Sequence, residues 1–331
     1  MKLVIQIPCY NEEAALPVTL SELPRSVAGF DSVEWLVIDD GSSDRTAAVA
    51  AEYGVDRVVR LPNNQGLSRA FMAGLDAAIG MGADVIVNTD ADNQYQAEDI
   101  PKLVAPILAG RAEIVVGERP IAATPHFSPL KKALQRLGSR VVRRLSATDI
   151  PDAPSGFRAM TRDAAMRLHV FNDYSYTLEM IIQAGRKGMA ITSVPVRTNT
   201  DLRPSRLFTS LPRYLRRQAL TLVRIFMTYR PFYFFAAPGV MSFLLGFLIG
   251  VRFLYFYISG DGAGHVQSLI LAALLLGSGI LLVIVGLVAD LIAVNRKMLE
   301  SISYRLAQME RRERRPDASH AEATPDGDCV R

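Results

Sequence analysis

Two stretches of this chain lack any charged residue over a length that few soluble folds use. They are the twenty residues from Phe232 to Val251 and the twenty-four from Val266 to Ala289. At 1.5 Å of rise per residue, either can cross a hydrocarbon core of about 30 Å as a helix. A multi-pass membrane protein with two spans is therefore expected over residues 231–294. Arg224 and Arg230 precede the first span, Arg296 and Lys297 follow the second, and the connection Ser259–His265 has no Lys or Arg. The positive-inside rule then predicts an inner or plasma membrane protein with both termini and everything before residue 231 on the cytoplasmic side. Arg252, near the end of the first span, is expected to snorkel to the far interface.

The remainder is more polar and unevenly charged. Lys and Arg number 37 against 33 Asp and Glu, a net charge of +4, which is too small an excess to imply a nucleic-acid partner. Yet residues 120–148 contain no acid, and neither do residues 202–230, which carry seven arginines. The second run holds Leu211, Leu215, Leu222, Val223 and Phe226 against Arg213, Arg216, Arg217 and Arg224. That spacing predicts a basic amphipathic helix at a lipid surface. The two cysteines, Cys9 and Cys329, lie at opposite ends and imply no disulfide framework. The N-terminus has no signal-peptide pattern.

Before the spans, short aliphatic runs alternate with helical patterns. Strands are predicted at Leu3–Ile7, Glu34–Asp39, Asp56–Leu61, Asp84–Asn88, Glu113–Gly117 and Ile191–Val196. Helices are predicted at Glu12–Leu23, Ser43–Tyr53, Leu67–Gly80, from Asp99 to Ala109, at Pro129–Leu145 and at Leu168–Gly188. This order calls for an α/β fold, a mostly parallel sheet with helices on both faces. Ligands in such sheets sit beyond the carboxyl ends of the strands. Polar clusters fall at those ends: Pro8-Cys-Tyr-Asn-Glu-Glu, Asp39-Asp-Gly-Ser-Ser-Asp and Thr89-Asp-Ala-Asp-Asn-Gln.

Asp90-Ala91-Asp92 is the sharpest of these. Two carboxylates one residue apart at a strand end suit a hard cation, Mg²⁺ or Mn²⁺, shared with a diphosphate. Alone, such a pair is common and reads better as loop acids capping the next helix. Asp39–Asp44 and Asn11–Glu13 have similar ordinary readings as turn and helix-start residues.

Their order and spacing say more. Ile7-Pro-Cys-Tyr-Asn-Glu-Glu13, Val37-Ile-Asp-Asp-Gly-Ser-Ser-Asp-Arg-Thr46, Asn64-Gln-Gly66 and Asp90-Ala-Asp-Asn-Gln94 together resemble family 2 glycosyltransferases of the nucleotide-sugar-binding GT-A type. Ser155-Gly-Phe-Arg158 and Arg203-Pro-Ser-Arg206, followed by two spans, are similar to the polyprenyl-phosphate branch of dolichyl-phosphate mannose synthases and undecaprenyl-phosphate glycosyltransferases. The resemblance covers roughly residues 1–290. It implies that Pro8, Tyr10 and Glu12 line the nucleotide, with Asp39 and Asp40 near base and ribose. Asp90, Asp92 and Gln94 would surround the metal and donor diphosphate. Arg119 would face the acceptor phosphate, with Arg136, Ser139 and Arg140 as further acceptor contacts. Arg203 and Arg206 would close over the phosphates, although the family more often has Lys at Arg206 and Gly where Pro204 stands.

The implied reaction is inverting transfer of a sugar from a UDP- or GDP-linked donor to a polyprenyl phosphate. That acceptor arrives largely ionised, so positive charge matters more than a general base. A processive polysaccharide synthase shares the front half, but its usual Gln-x-x-Arg-Trp motif is missing, since the single tryptophan is Trp35. A transferase with a non-lipid acceptor and a non-catalytic membrane scaffold would each also fit these residues. The expected division is a catalytic domain over 1–200, a basic loop and interfacial helix over 201–230, the spans, and a cytosolic helix with a polar tail over 295–331. Leu291, Val294, Met298, Ile302, Arg305 and Met309 follow a near-heptad rhythm, with fewer than three clean heptads. Together with Gly277-Ser-Gly279 in the second span, it leaves room for a homo-oligomer through the membrane and C-terminal helices.

Overall fold

The computed structural model describes residues 1–120, 142–143, 146–170, 176–199, 220, 223–224, 226–227, 230–260 and 262–313. The chain divides into two compact units, Met1–Tyr229 and Arg230–Arg331.

In the first unit the described strands are β1 (Lys2–Cys9), β2 (Ser32–Asp39), β3 (Arg57–Arg60), β4 (Val85–Asn88), β5 (Ile114–Glu118), β6 (Arg158–Thr161) and β7 (Ile191–Pro195). The described helices are α1 (Leu16–Glu22), α2 (Thr46–Glu52), α3 (Leu67–Gly80), α4 (Ile100–Leu108), α5 (Arg162–Arg167) and α6 (Tyr176–Arg186). The strands form one sheet in the order β3-β2-β1-β4-β6-β5-β7. Six of them run the same way, and β6 alone is antiparallel to its neighbours β4 and β5.

Alternation along the strands separates two apolar layers. Leu3, Ile5 and Ile7 of β1 pack with Leu16, Leu20, Leu103 and Val104 on one face. Val4, Leu36 and Ile38 pack with Phe71, Leu75 and Met180 on the other. A third cluster, with Val116, Val142, Ile150 and Ile181, also receives Phe226. Leu220, Val223 and Met227 are exposed. Most of the two basic segments predicted as helices lies outside the described residues.

The expected parallel order holds, with one strand added. β6 was not apparent in the sequence because it has four residues and starts on a buried arginine. Its reversed direction brings residues 155–157 to the same sheet edge as the carboxyl ends of β1, β2 and β4. Three helices start later than their patterns suggest, among them α2, which begins at Thr46 and not at Ser43. α1 begins at Leu16 because Asn11 has φ 54° and residues 11–13 bond across to residues 42–46 instead. Leu168 is extended, and Gln183 Oε1 accepts the His169 N–H, so helix α6 starts only at Tyr176 among the described residues.

In the second unit, α7 (Pro231–Ile258) and α8 (Val266–Glu313) form a hairpin. Pro231–Ile258 and Val266–Arg296 are long and apolar enough to cross a membrane. Small residues set their close approach. A Cβ on Gly239 would come within 2.9 Å of the Gly279 carbonyl oxygen, and one on Gly246 within 2.9 Å of Leu275. Ser242 Oγ donates to the Leu275 carbonyl at 2.9 Å and lies 3.2 Å from Ser278 Oγ. Gly279 and Ser278 thus join the two helices of one chain. Arg252 lies over the Phe256 ring and reaches Ser268 Oγ at 3.4 Å.

A buried carboxylate holds the segment that follows β7 in place. Asp99 accepts the Arg197 backbone N–H at 2.7 Å, Arg197 Nη2 at 2.9 Å and Lys102 Nζ at 2.7 Å. Burial alone would raise its pKa, but the Arg197 and Lys102 hydrogen bonds outweigh this and hold it down at about 2. Because the folded value lies below the unfolded one of about 3.9, the group stabilises the fold above pH 4 and loses this contribution as pH falls towards 2. Asp99→Asn should therefore cost about 2 kcal/mol at pH 7, several degrees of Tm. Melting curves of both proteins from pH 7 to 3 should show the gap narrowing only below pH 4. A gap independent of pH would contradict this assignment.

Candidate active site

Four loops meet at one edge of the sheet. The first follows β1. Pro8 is buried in the strand, Tyr10 is 42% exposed just beyond it, and Glu12 is buried. The left-handed Asn11 lets the chain turn so that its N–H donates to Ser42 Oγ and its Oδ1 accepts the Ser43 N–H, both at 2.9 Å. Glu12 N–H donates to Thr46 Oγ1 at 2.9 Å, so this loop and the one after β2 form one surface.

In the second loop, Asp39 Oδ1 accepts the Ser42 N–H at 2.8 Å and Oδ2 lies 3.3 Å from Arg60 Nε. Asp40 accepts the N–H groups of Gln65 and Gly66 at 2.8 and 2.9 Å, one on each oxygen. Asp40 is thus taken up in shaping the loops, whereas the buried Asp39 Oδ2 faces the Arg60 guanidinium and accepts no hydrogen bond among the described residues. Gly41 has φ +68°, and a Cβ there would come within 2.6 Å of Asn63 Cα, so this crossing requires glycine.

The third loop carries Asp90, Asp92 and Gln94. Asn93, at φ 56°, makes the turn, and Gln94 N–H donates to Asp92 Oδ1 at 3.2 Å. Burial, followed by repulsion from Asp92, pushes the Asp90 carboxyl up to about 7, against the opposing pull of Arg119 and Arg158. The strand below is held by a buried chain of amides. Gln6 Nε2 donates to Asn88 Oδ1 at 2.9 Å, and Asn88 Nδ2 donates to the Gly156 carbonyl at 2.8 Å.

The fourth loop leads into β6. A Cβ on Gly156 would stand 2.7 Å from each oxygen of Asp90, so only glycine leaves that carboxylate in place. Gly156 N–H donates to the Tyr95 hydroxyl at 3.0 Å, and burial pushes that phenol up to about 12, keeping it protonated. Arg119, just past β5, makes a two-pronged contact with the buried Asp152. Its Nε bonds Oδ2 at 2.7 Å and its Nη2 bonds Oδ1 at 3.0 Å. Its Nη1 donates to Gln94 Oε1 at 3.2 Å. Arg119 therefore ties the third loop to the fourth, and the Gln94 amide oxygen is engaged by an arginine. Beneath them the fully buried Arg158 donates to the carbonyls of Ala153, Ser155 and Thr177 at 2.7–2.8 Å.

The structure thus brings together Glu12, Asp90, Asp92, Gln94 and Arg119, with Asp39 and Asp40 framing the adjacent loops. Arg136, Ser139, Arg140, Arg203 and Arg206 lie outside the described residues. Asp152, Tyr95 and Asn88 are site-forming residues that sequence reasoning did not single out, and Gly156 entered it only as part of a motif, without a role. The only sequence signal was Ser155-Gly-Phe-Arg158, whose buried arginine and glycine are the parts that pack here.

The acidic pair has the chemistry of a divalent-cation site of low protein coordination. Among the described residues no group of three or more Asp, Glu, His or Cys is placed to hold a metal ion by itself. Two neighbouring carboxylates, one with its pKa raised by burial and then by the other, are the kind of partial set that Mg²⁺ or Mn²⁺ can complete with phosphate oxygens and water.

Comparison with known proteins agrees with this layout. Residues 4–168 match the family model described as glycosyl transferase family 2. Undecaprenyl-phosphate mannosyltransferase of Micrococcus luteus is 30% identical over 206 residues, 59% of this chain and 83% of that one. UDP-N-acetylglucosamine–dolichyl-phosphate N-acetylglucosaminyltransferase of Methanococcus voltae is 30% identical over 217 residues, 58% of this chain and 83% of that one. Among solved structures, glucosyl-3-phosphoglycerate synthase of Mycobacterium tuberculosis, in complex with Mn²⁺, UDP and glucosyl-3-phosphoglycerate, superposes with a TM-score of 0.54 at 21% identity. That match covers 69% of this chain and 79% of the other, and shows the GT-A-like α/β fold. With an acidic pair at the edge of that fold and relatives of this kind along most of their length, the chain belongs to glycosyltransferase family 2 and is a glycosyltransferase.

Proposed function

We propose that this enzyme moves a sugar from a nucleotide-sugar donor to the phosphate of a polyprenyl phosphate at a membrane, with the catalytic unit on the cytoplasmic side. The observation that carries the reading is the coexistence in one chain of the Asp90–Asp92 edge with two membrane-length helices. The names of the Micrococcus and Methanococcus relatives support the acceptor class. The Mn²⁺ complex of the structural neighbour supports a divalent cation.

Asp90 and Asp92 would hold Mg²⁺ or Mn²⁺, which neutralises charge growing on the departing nucleoside diphosphate. Gly156 keeps the Asp90 carboxylate free to do so. The loops set by Asn11, Asp39 and Asp40 form a wall for the nucleotide, with Pro8, Tyr10 and Glu12 along it. Arg119 holds Gln94 beside the acidic pair and brings positive charge to where two phosphates meet. Its partner Asp152 fixes the guanidinium plane, which orients Arg119 at the expense of some of its net charge. Arg203, Arg206, Arg136, Ser139 and Arg140 are proposed to gather the remaining phosphate charge.

Purified full-length protein should be incubated with undecaprenyl phosphate, Mn²⁺ and a panel of labelled UDP- and GDP-sugars, and label extracted into organic solvent. One donor should give lipid-borne label, abolished by chelation and reduced at least a hundredfold in Asp92→Ala. Label confined to water-soluble product would instead favour a non-lipid acceptor. No product from any donor, with the protein folded, would overturn the reading.

Gly156→Ala should also lower turnover about a hundredfold, because its methyl displaces Asp90 by more than an active site tolerates. The same variant should keep its melting temperature within a few degrees. Unchanged turnover would mean that Asp90 is not held for catalysis.

A further inference from the structure

The helix α8 runs unbroken from Val266 to Glu313, although the membrane-length segment ends at Arg296. Residues 297–313 continue it by about 25 Å at 1.5 Å per residue. Along this continuation an apolar stripe stands open. Leu299 is 64% exposed, Ile302 53%, Leu306 55% and Met309 60%. Such a row on a helix that has left the hydrocarbon is not explained by lipid, and large exposed apolar patches mark contact surfaces.

Assigned to a heptad, the stripe has Ile292, Leu299 and Leu306 at a, and Asn295, Ile302 and Met309 at d. In this frame Arg305 falls at g and position 310, a glutamate, at e. In a parallel, in-register coiled coil, g of one strand meets the e five residues on in its neighbour, so Arg305 falls opposite the glutamate at position 310, the one charge match of this frame. An antiparallel pairing would set g against g and lose that match. Copies inserted in one membrane with one topology leave it on the same side, which makes parallel the only available direction. Asn295 would meet its own equivalent in the seam, and the a position that follows Leu306 is the glutamate that ends the helix. An isolated helix of this length is marginal in water, but the preceding span nucleates it and the bilayer confines the copies at high effective concentration.

We infer that the α8 continuation is a self-association surface, pairing with the same helix of further copies of this chain in a parallel bundle. Leu at a with Ile at d favours more than two strands. This interface is independent of the proposed acceptor.

The test uses the full-length chain in membranes, with Cys329→Ser so that the buried Cys9 is the only native thiol left. Ile302→Cys and Met309→Cys place a thiol in the seam, while Tyr304→Cys places one on the opposite face. Mild oxidation should join copies through positions 302 and 309 at least tenfold more than through 304. Arg305→Glu should reduce joining at 302 several-fold, and adding Glu310→Arg should restore it. Absence of joined copies at 302 and 309, equal joining at 304, joining to a different protein, or failure of the double reversal to rescue would each overturn the proposal.

Discussion

Repulsion between carboxylates confined at one sheet edge is the constraint from which most of the first unit follows. Asp90 and Asp92 lie one residue apart on a turn, Glu12 adds to the field, and burial deprives Asp90 of solvent. A pair of this kind is costly without compensation. The fold answers it in three ways. Arg119 and Arg158 supply positive charge, one through a two-pronged contact with Asp152 and one from beneath. Gly156 removes the atom that would displace Asp90. The amide chain through Gln6 and Asn88 fixes the strand end without adding charge. What remains is an acidic edge left partly uncompensated, so that a cation and a diphosphate gain most from entering it.

The reversed strand β6 acquires its meaning from the same constraint. Were it parallel like the other six, residues 155–157 would lie at the opposite edge of the sheet. Running backwards, β6 delivers Gly156 to Asp90 and begins with Arg158 next to Asn88 in register. The buried guanidinium then bonds three carbonyls, fixing the segment from Ala153 to Ser155 and the start of α6 together. One antiparallel strand thus carries both the steric allowance and part of the electrostatic compensation.

The sequence displayed the periodic parts of this arrangement. Alternating strands, the amphipathic pattern of α3 and the two charge-free runs each follow from local residue spacing, and each stands where that spacing put it. The polar clusters were also visible, because strand ends in a parallel sheet are where such residues collect. What stayed hidden depends on contacts between distant segments. Nothing local distinguishes Asp152 from an ordinary loop acid until Arg119, thirty-three residues away, closes on it. The backbone at Asn11 departs from the predicted helix because its partners lie at Ser42 and Ser43. β6 was too short to show a period. Even Asp40, prominent in the sequence, has its two oxygens on the loop at Gln65 and Gly66, a shaping role that spacing alone does not reveal.

The proposed acceptor also accounts for a feature of the side-chain set. A hydroxyl nucleophile needs a base held within hydrogen-bond reach, usually an oriented histidine or carboxylate. The two described histidines have other surroundings: the backbone of His169 is held by Gln183 of α6, and the His265 ring lies against Phe256 in the hairpin. Of the carboxylates at the edge, Asp39 and Asp40 accept backbone N–H groups, Asp152 is bound by Arg119, Asp90 and Asp92 form the pair suited to a cation, and Glu12 adds its charge to the field at Asp90. A phosphate nucleophile reaches the site already ionised, so the groups required of the protein are cationic and directional. Arg119, held flat by Asp152 and joined to the acidic loop through Gln94, is a residue of that kind. On this reading the site works by placing two polyanions against each other, and its architecture is a graded arrangement of charge with few proton-transfer groups.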